Sequence, residues 1–341
     1  MQHLQAASRE LFNRTPDEIF PSVAALSDHC QMQRENSAVH WLSPDRLHAQ
    51  SLDTRTLALA EAEDLSLPMN DWSFGQLCRL ANVEKRTINR LTADTASRVF
   101  AETLPRGNKP LQVFTVDGQV RSIHGGSYTR LHDMEVLDAV LDAADGFDAP
   151  PKGFNGATGL YGGEQDMFCF LIDPTGWIDI DGESFAPGFF VWNSEVGRRT
   201  VGIQTFWFQQ ICQNHIVWDA VEVFDVKRKH TANVHECLNH IRDAIHRLVA
   251  KRDARRDRFA EIVKRAMGEQ FEDADEAFKT VVKTGIGQRL AKQAVELARQ
   301  QGRLTIFSMV NALTRMSGKI VYAGDRNEID QQVGQLLALA V

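Results

Sequence analysis

The 341-residue chain has little that would staple it covalently or carry it into a membrane. Its five cysteines, Cys30, Cys78, Cys169, Cys212 and Cys237, are odd in number and contain no C-x-x-C pair, which argues against a zinc ribbon or an oxidised framework. No run approaches the roughly 18 apolar residues of a spanning helix, and the opening MQHLQAASRE has neither the basic nor the apolar segment of a secretory signal. A protein of the reducing cytoplasm, not associated with membrane, is expected. Common catalytic signatures are missing too. Gly156–Gly163 (GATGLYGG) lacks the Gly-Lys-Ser/Thr ending of a P-loop, Gly318-Lys319 is followed by Ile320, and no dinucleotide fingerprint opens a βαβ unit. His124-Gly125-Gly126-Ser127 is reminiscent of an esterase oxyanion strand, yet no G-x-S-x-G elbow supplies a nucleophile. His230, His235, His240 and His246 cluster in sequence, but none are spaced i, i+4 and no acidic or cysteine partners complete a ligand set. Neither a metal nor a cofactor is therefore expected.

What the chain does have is a globular composition, 43% apolar and 24% charged, which excludes a disordered or collagenous polymer. Its net charge of −7 is banded: −6 over residues 1–72, +5 over 73–132, −12 over 133–195, +6 over 196–265 and zero over 266–341. Two basic bands around an acidic one either neutralise one another as solvated faces or build a local positive surface.

Periodicity places a helix near 21–35, extended pieces at 38–42 and 54–60, and a helical stretch over 71–104 with Ser73 as N-cap. Residues 111–124 (LQVFTVDGQVRSIH) read as a hairpin about Asp117-Gly118, followed by a helix that Asp133 caps. Between 150 and 226 glycines separate aromatic and β-branched runs, giving strands at 166–173, 189–196, 200–211 and 221–227. From Ala232 the period is helical: one long helix to about Met267, then helices near 274–283, 286–300, 305–316 and 328–340. The expected fold is α+β, a central, mainly antiparallel sheet with a helical C-terminal third. It divides into an α+β domain over 1–231 and a helical region over 232–341 packed on it.

Two patterns point to nucleic acid. Gln76–Leu91 imitates a helix-turn-helix, in which Glu84, Lys85, Arg86 and Asn89 would face a major groove, although any two short amphipathic helices give the same string. The second pattern sets cations beside aromatic strands. Arg198 and Arg199 sit at a hairpin turn, and strand 221–227 ends in Lys227, Arg228, Lys229 and His230. If the strands alternate in direction, that end returns to the same sheet edge as the 197–199 turn. Cations along a backbone and aromatic faces for bases are how single strands are held. Arg121, Arg130, Arg198, Arg199, Lys227, Arg228, Lys229 and His230 are the candidate phosphate contacts, with Tyr128 and Trp192 as stacking residues.

The ordered motifs resemble a known family, the phage/plasmid-like proteins, a domain of unknown function carried by prophages and conjugative plasmids. The resemblance runs through Ser73–Cys78 (SFGQLC), Val120–Ile123 (VRSI), Ser127–Arg130 (SYTR) and Asn193–Gly197 (NSEVG). It continues through Cys212–Asn214 (CQN), Arg228–Thr231 (RKHT) and Asn311–Thr314 (NALT). It implies a mobile-element setting, in DNA metabolism or host interference, and names no reaction. The expectation is a non-enzymatic protein that binds single-stranded DNA in recombination, replication or establishment, with a homo-oligomer as its expected assembly. The alternatives are a metal-dependent hydrolase or nuclease built on the acidic 133–195 band, and a helix-turn-helix transcriptional regulator.

Overall fold

A computed structural model describes residues 10–61, 65–152, 158–210, 214–216 and 226–340. The chain opens with strand β1 (Glu18–Ile19) and helix α1 (Val23–Glu35), capped by the Ser22 hydroxyl, which accepts from the Ala25 N–H. Next come β2 (Ser37–Leu42), β3 (Leu47–Ser51), β4 (Leu57–Glu61) and β5 (Leu65–Pro68). The helical stretch resolves into α2 (Asp71–Leu80), a single turn α3 (Lys85–Ile88) and α4 (Ala93–Thr103). Asn70, and not Ser73, caps α2: its side chain accepts from the Ser73 N–H, while the Ser73 hydroxyl bonds back to the Asn70 backbone, a reciprocal box.

The expected hairpin forms as β6 (Leu111–Val116) and β7 (Gln119–Gly125). Asp117 and Gly118 both take positive φ, the conformation of a two-residue turn matched to strand twist. Helix α5 (Asp133–Ala143) follows with His132, one residue earlier than expected, as its N-cap.

The main sheet collects β8 (Leu160–Gly162), β9 (Met167–Ile172), β10 (Ile178–Ile180), β11 (Glu183–Asn193), β12 (Val201–Gln209), β13 (Asn214–Ile216) and β14 (Val226–Arg228). All its pairings are antiparallel, in the order β1-β8-β9-β11-β12-β13, with β10 beside β11 and β14 beside β12. Two smaller sheets, β2-β6-β7 and β3-β4-β5, pack with α2 and α4 around Phe74, Leu77 and Phe100.

Strand β9 reads as an unbroken apolar run, and β11 and β12 carry apolar residues on both sides, because both faces of these strands are covered. Cys169, Leu171, Phe189, Val191 and Ile203 meet α1 and α5, together with α6 (Glu236–Ala250). Phe168, Phe170, Phe190, Trp192, Phe206 and Phe208 form an aromatic layer on the other face.

The helical third contains α7 (Arg252–Gly268), α8 (Ala274–Lys283), α9 (Gln288–Gln301), α10 (Ile306–Ser317) and α11 (Ala323–Leu337). The long helix expected over 232–267 is broken at Lys251, which leaves helical geometry. The break has a packing reason: α6 buries Ile241, Ile245 and Leu248 against the sheet, while α7 sends Phe259, Ile262 and Val263 into the helical core. That core also takes Phe185 and Trp207 from the sheet, the Trp207 ring lying parallel to Phe259 at 3.9 Å. The architecture is α+β, antiparallel sheets followed by a run of helices. Among the described residues no helix is long and apolar enough to cross a membrane.

Candidate functional site

Strand β11 ends at Asn193 and Gly197 turns the chain at φ +71. A side chain there would be strained, and its Cβ would stand 2.8 Å from the His124 ring. The Ser194 hydroxyl accepts from the Arg198 N–H at 2.9 Å and donates to the Gln165 carbonyl, fixing the loop on both sides. Strand β14 returns antiparallel to β12 with Arg228 opposite Val201 and Lys227 opposite Gly202. The two cationic segments, nearly thirty residues apart in sequence, therefore meet at one corner of the sheet.

Within that corner the candidate residues have different fates. Arg198, Arg228 and Lys229 are exposed. The Lys227 side chain lies outside the described residues. Arg199 turns inward: its Nε donates to Asp166 at 2.7 Å and its Nη1 to Glu328 at 2.7 Å. Burial works against its charge, but Asp166 and Glu328 outweigh that and hold its pKa above the ordinary value. Arg14 joins the same cluster, 3.3 Å from Asp17 and 3.7 Å from Asp166, with its guanidinium 3.8 Å over the Tyr322 ring. Asp17 accepts from the Ala323 N–H at 2.7 Å.

On the opposite side of the turn stands a stack of rings. Tyr128 lies parallel to His124 at 3.7 Å and close to His230 at 5.4 Å. Its hydroxyl donates to the Glu195 carbonyl at 3.0 Å, and its neighbour Thr129 donates to the His230 carbonyl at 3.2 Å. Arg130 lies 3.6 Å over the Phe114 ring and also donates to the Glu195 carbonyl. Burial, reinforced by the Arg130 charge, pushes His124 down to about 3 and His230 to about 4, so both rings are neutral near pH 7. His230 is only 6% exposed. Deeper still, the Glu195 carboxylate accepts from the Asp133 N–H at 2.8 Å and from His132 at 3.2 Å, while Asp133 accepts from Asn193 at 2.8 Å. Burial and the Glu195 charge together raise the Asp133 carboxyl well above its usual range.

Trp192 is 4% exposed and packs 5.4 Å from Phe190 in the aromatic layer. Arg121 is half-buried on β7, donating to the Gly163 carbonyl at 3.1 Å.

Beside the turn lies an open groove of about 620 Å³ walled by Trp72, Arg79, His124, Gly125 and Gly197. The Arg79 guanidinium sits 5.1 Å over the Trp72 ring, and the Trp72 indole donates to the Val196 carbonyl at 2.9 Å. Trp41, 55% exposed, stands next to Gly126. None of these three residues stands out in the sequence reading. The seven-residue spacing of Trp72 and Arg79 puts them on one helical face and is the signal that could have found them.

Of the remaining sequence candidates Arg86 is exposed, and the others are held by contacts within the scaffold. The second element of the helix-turn-helix pattern is the four-residue α3, where Lys85 pairs with Asp71 at 2.6 Å and Glu84 accepts from the Thr87 N–H. The Asn89 amide is engaged at both ends by the backbone of Phe12. In the acidic band, Asp166 pairs with Arg199, Asp173 with Arg252 at 2.6 Å and Asp142 with Arg242 at 3.1 Å. Among the described residues no three His, Cys, Asp or Glu side chains are grouped so as to hold a metal ion.

Comparison of the chain with known protein families, curated proteins and solved structures finds no match. The segments 73–78, 120–123, 127–130, 193–197 and 228–231, singled out in the sequence for their order along the chain, nonetheless converge at this corner. Ser73 donates to the Val120 carbonyl, Gln76 accepts from Ile123, and Tyr128 links the 193–197 loop to His230. Segment 311–314 lies on α10 in the helical core, and residues 212 and 213 fall outside the described residues.

Proposed function

We propose that this corner binds single-stranded nucleic acid, with Arg198, Arg228 and Lys229 along the phosphates and Trp72, Arg79 and His124 lining the place for bases. The observation that carries the reading is the β12–β14 register, which sets the exposed cations at the turn and the junction together, beside a groove with an aromatic wall. Cations that track a backbone and rings that accept any base face give affinity without sequence readout. Arg79 over Trp72 leaves a guanidinium plane next to an indole, both suited to stacking. The resemblance to phage/plasmid-like proteins supplies the setting, the handling of DNA by a mobile element, and the protein acts there without a catalytic step of its own.

Fluorescence anisotropy with a labelled mixed-sequence oligonucleotide tests this. Affinity should fall steeply with salt, each phosphate contact contributing about 0.7 to the log–log slope. Replacing Arg198, Arg228 and Lys229 together with Ala should reduce that slope by about 2. Binding indifferent to salt, or none at about 50 mM salt, would overturn the reading.

A further inference from the structure

The sheet β2-β6-β7 has two edges, and the fold treats them differently. The outer side of β7 is closed by the segment that leads into α2. Met69 bridges Val120, the Ser73 hydroxyl donates to the Val120 carbonyl at 2.8 Å, and the Gln76 side chain accepts from the Ile123 N–H at 2.8 Å. The outer side of β2 has no neighbouring strand, and among the described residues no backbone hydrogen bond from another element reaches it. Open edges are usually blunted by a lysine, a proline or a bulge, because their free N–H and C=O groups are a template for another strand. Strand β2 (SAVHWL) contains no Asp, Glu, Lys, Arg or Pro, and it pairs with β6 in unbroken register from Ser37 to Leu42.

Val39 stands opposite Phe114 and Trp41 opposite Gln112, so these four side chains share one face of the sheet. On β6 that face is covered: Phe114 lies under the Arg130 guanidinium at 3.6 Å, and the Gln112 amide donates to the Tyr128 carbonyl at 2.8 Å. On β2 it is open, with Val39 45% and Trp41 55% exposed. The cover ends one strand short of the edge, and an apolar pair is left in solvent beside a row of free backbone groups.

A strand that completes this edge must bring backbone groups, an apolar pair on the same face and no opposing charge. A second copy of β2 brings all three. Antiparallel pairing about a two-fold axis normal to the sheet keeps each face on its own side. Centred on His40, it sets Val39 of each copy opposite Trp41 of the other, so that two aromatic and β-branched pairs, a favourable cross-strand combination, merge into one strip. Residues near such an axis meet their own copies, and a charged residue in β2 would be repelled by itself. We propose that the chain forms a two-fold dimer through antiparallel β2–β2 pairing, which makes a continuous six-stranded sheet in the order β7-β6-β2-β2-β6-β7. The dimer does not depend on nucleic-acid binding at the corner.

Sedimentation equilibrium of the full chain tests the pairing. It should show a monomer–dimer equilibrium, and the melting temperature should rise with chain concentration, as it does when folded chains associate and unfolded ones do not. Val39→Lys and Trp41→Lys, both at exposed positions, should each weaken dimerisation at least about tenfold, as loss of an interface anchor does, without lowering the melting temperature of the dilute chain. His40→Cys reads the register independently, even if a lysine variant does not fold. It sets one thiol opposite its copy, so a short bismaleimide should join the two chains, whereas Val321→Cys, exposed between α10 and α11, should not be joined, and the unaltered chain is the blank. A chain that stays monomeric overturns the proposal and leaves the edge to a strand of another protein. A dimer that survives both lysine variants, or whose His40→Cys thiols are not joined, overturns it as well.

Discussion

Two clusters of buried polar groups grip the same turn from opposite sides, and they are built on opposite principles. Around Arg199 the structure matches charge with charge: two guanidiniums against Asp17, Asp166 and Glu328. Around Tyr128 it sets one guanidinium among rings, two of them imidazoles whose charge burial has suppressed. The first cluster is intolerant of losing a member, and burial raises its Asp17 and Asp166 carboxyls above their usual range. The second loses no strong pair when altered, yet is exposed to pH. The adjacent Arg198 and Arg199 show how sharply the boundary falls, one cation left in solvent and the next held inside.

The largest expected effect comes from breaking the charge-matched side. Arg199→Met leaves Asp166 buried with Arg14, at 3.7 Å, as its remaining ion-pair partner, and removing one partner of a buried pair costs about 3–5 kcal/mol. Urea denaturation should show this as a lower midpoint with an unchanged slope. Acid comes next and acts on the other side. His124 and His230 have folded pKa values below the unfolded value near 6.5, so the unfolded chain binds more protons below that pH. The share of stability that these two rings contribute should be level from pH 8 to 7 and fall from about 6.5 toward 4, against the opposing share of the raised carboxyls of Asp17, Asp133, Asp166 and Asp330. Denaturation of the wild type and of a His124→Gln, His230→Gln double variant at pH 7 and pH 5 checks the sign: between those pH values the wild type should lose stability relative to the variant.

A smaller effect sharpens the contrast without removing any polar group. Gly324→Ala would put a methyl 2.6 Å from the Arg199 guanidinium and 2.8 Å from Asp166, which should cost about 1–2 kcal/mol in thermal unfolding. The smallest concerns a partly exposed pair, Lys85 with Asp71, where Lys85→Ala should lower stability by less than about 1 kcal/mol. Arg198→Ala should not change the melting temperature, yet should weaken oligonucleotide binding by about 1–3 kcal/mol.

How far the sequence carries depends on the range of the interactions. The 111–125 hairpin, α5, α8, α9 and α10 follow from local period and turn chemistry, because each buries a face that its own spacing marks, whereas the break at Lys251 and the start of α11 at Ala323 do not. Short strands such as β1, β8 and β10 carry two or three residues each and leave no period to read. The cap of α2 shows the resolution limit: Ser73 and Asn70 both qualify, and their reciprocal bonding decides between the roles. The meeting of the 197–199 turn with the 227–230 junction was legible because antiparallel order alone requires it. The fate of Arg199 was not, since its partners lie 33 and 129 residues away. Nor does any local pattern distinguish Trp192, sealed in the aromatic layer, from Trp72 at a groove.

The bond from the Ala323 N–H to Asp17 spans 306 residues, and Tyr322 reaches back to the Arg14 carbonyl at 3.2 Å. On a ribosome adding roughly 5–20 residues per second, the segment around Asp17 emerges well over ten seconds before its last partner exists. In the last part of that interval, once residue 228 has been made, β1 to β14 are complete and the main sheet can pair, but one edge of it still waits for α11. Synthesis of the final helix is thus a timing event as well as a structural one. A nascent chain arrested before residue 322 would hold a paired sheet with Asp17 short of one partner.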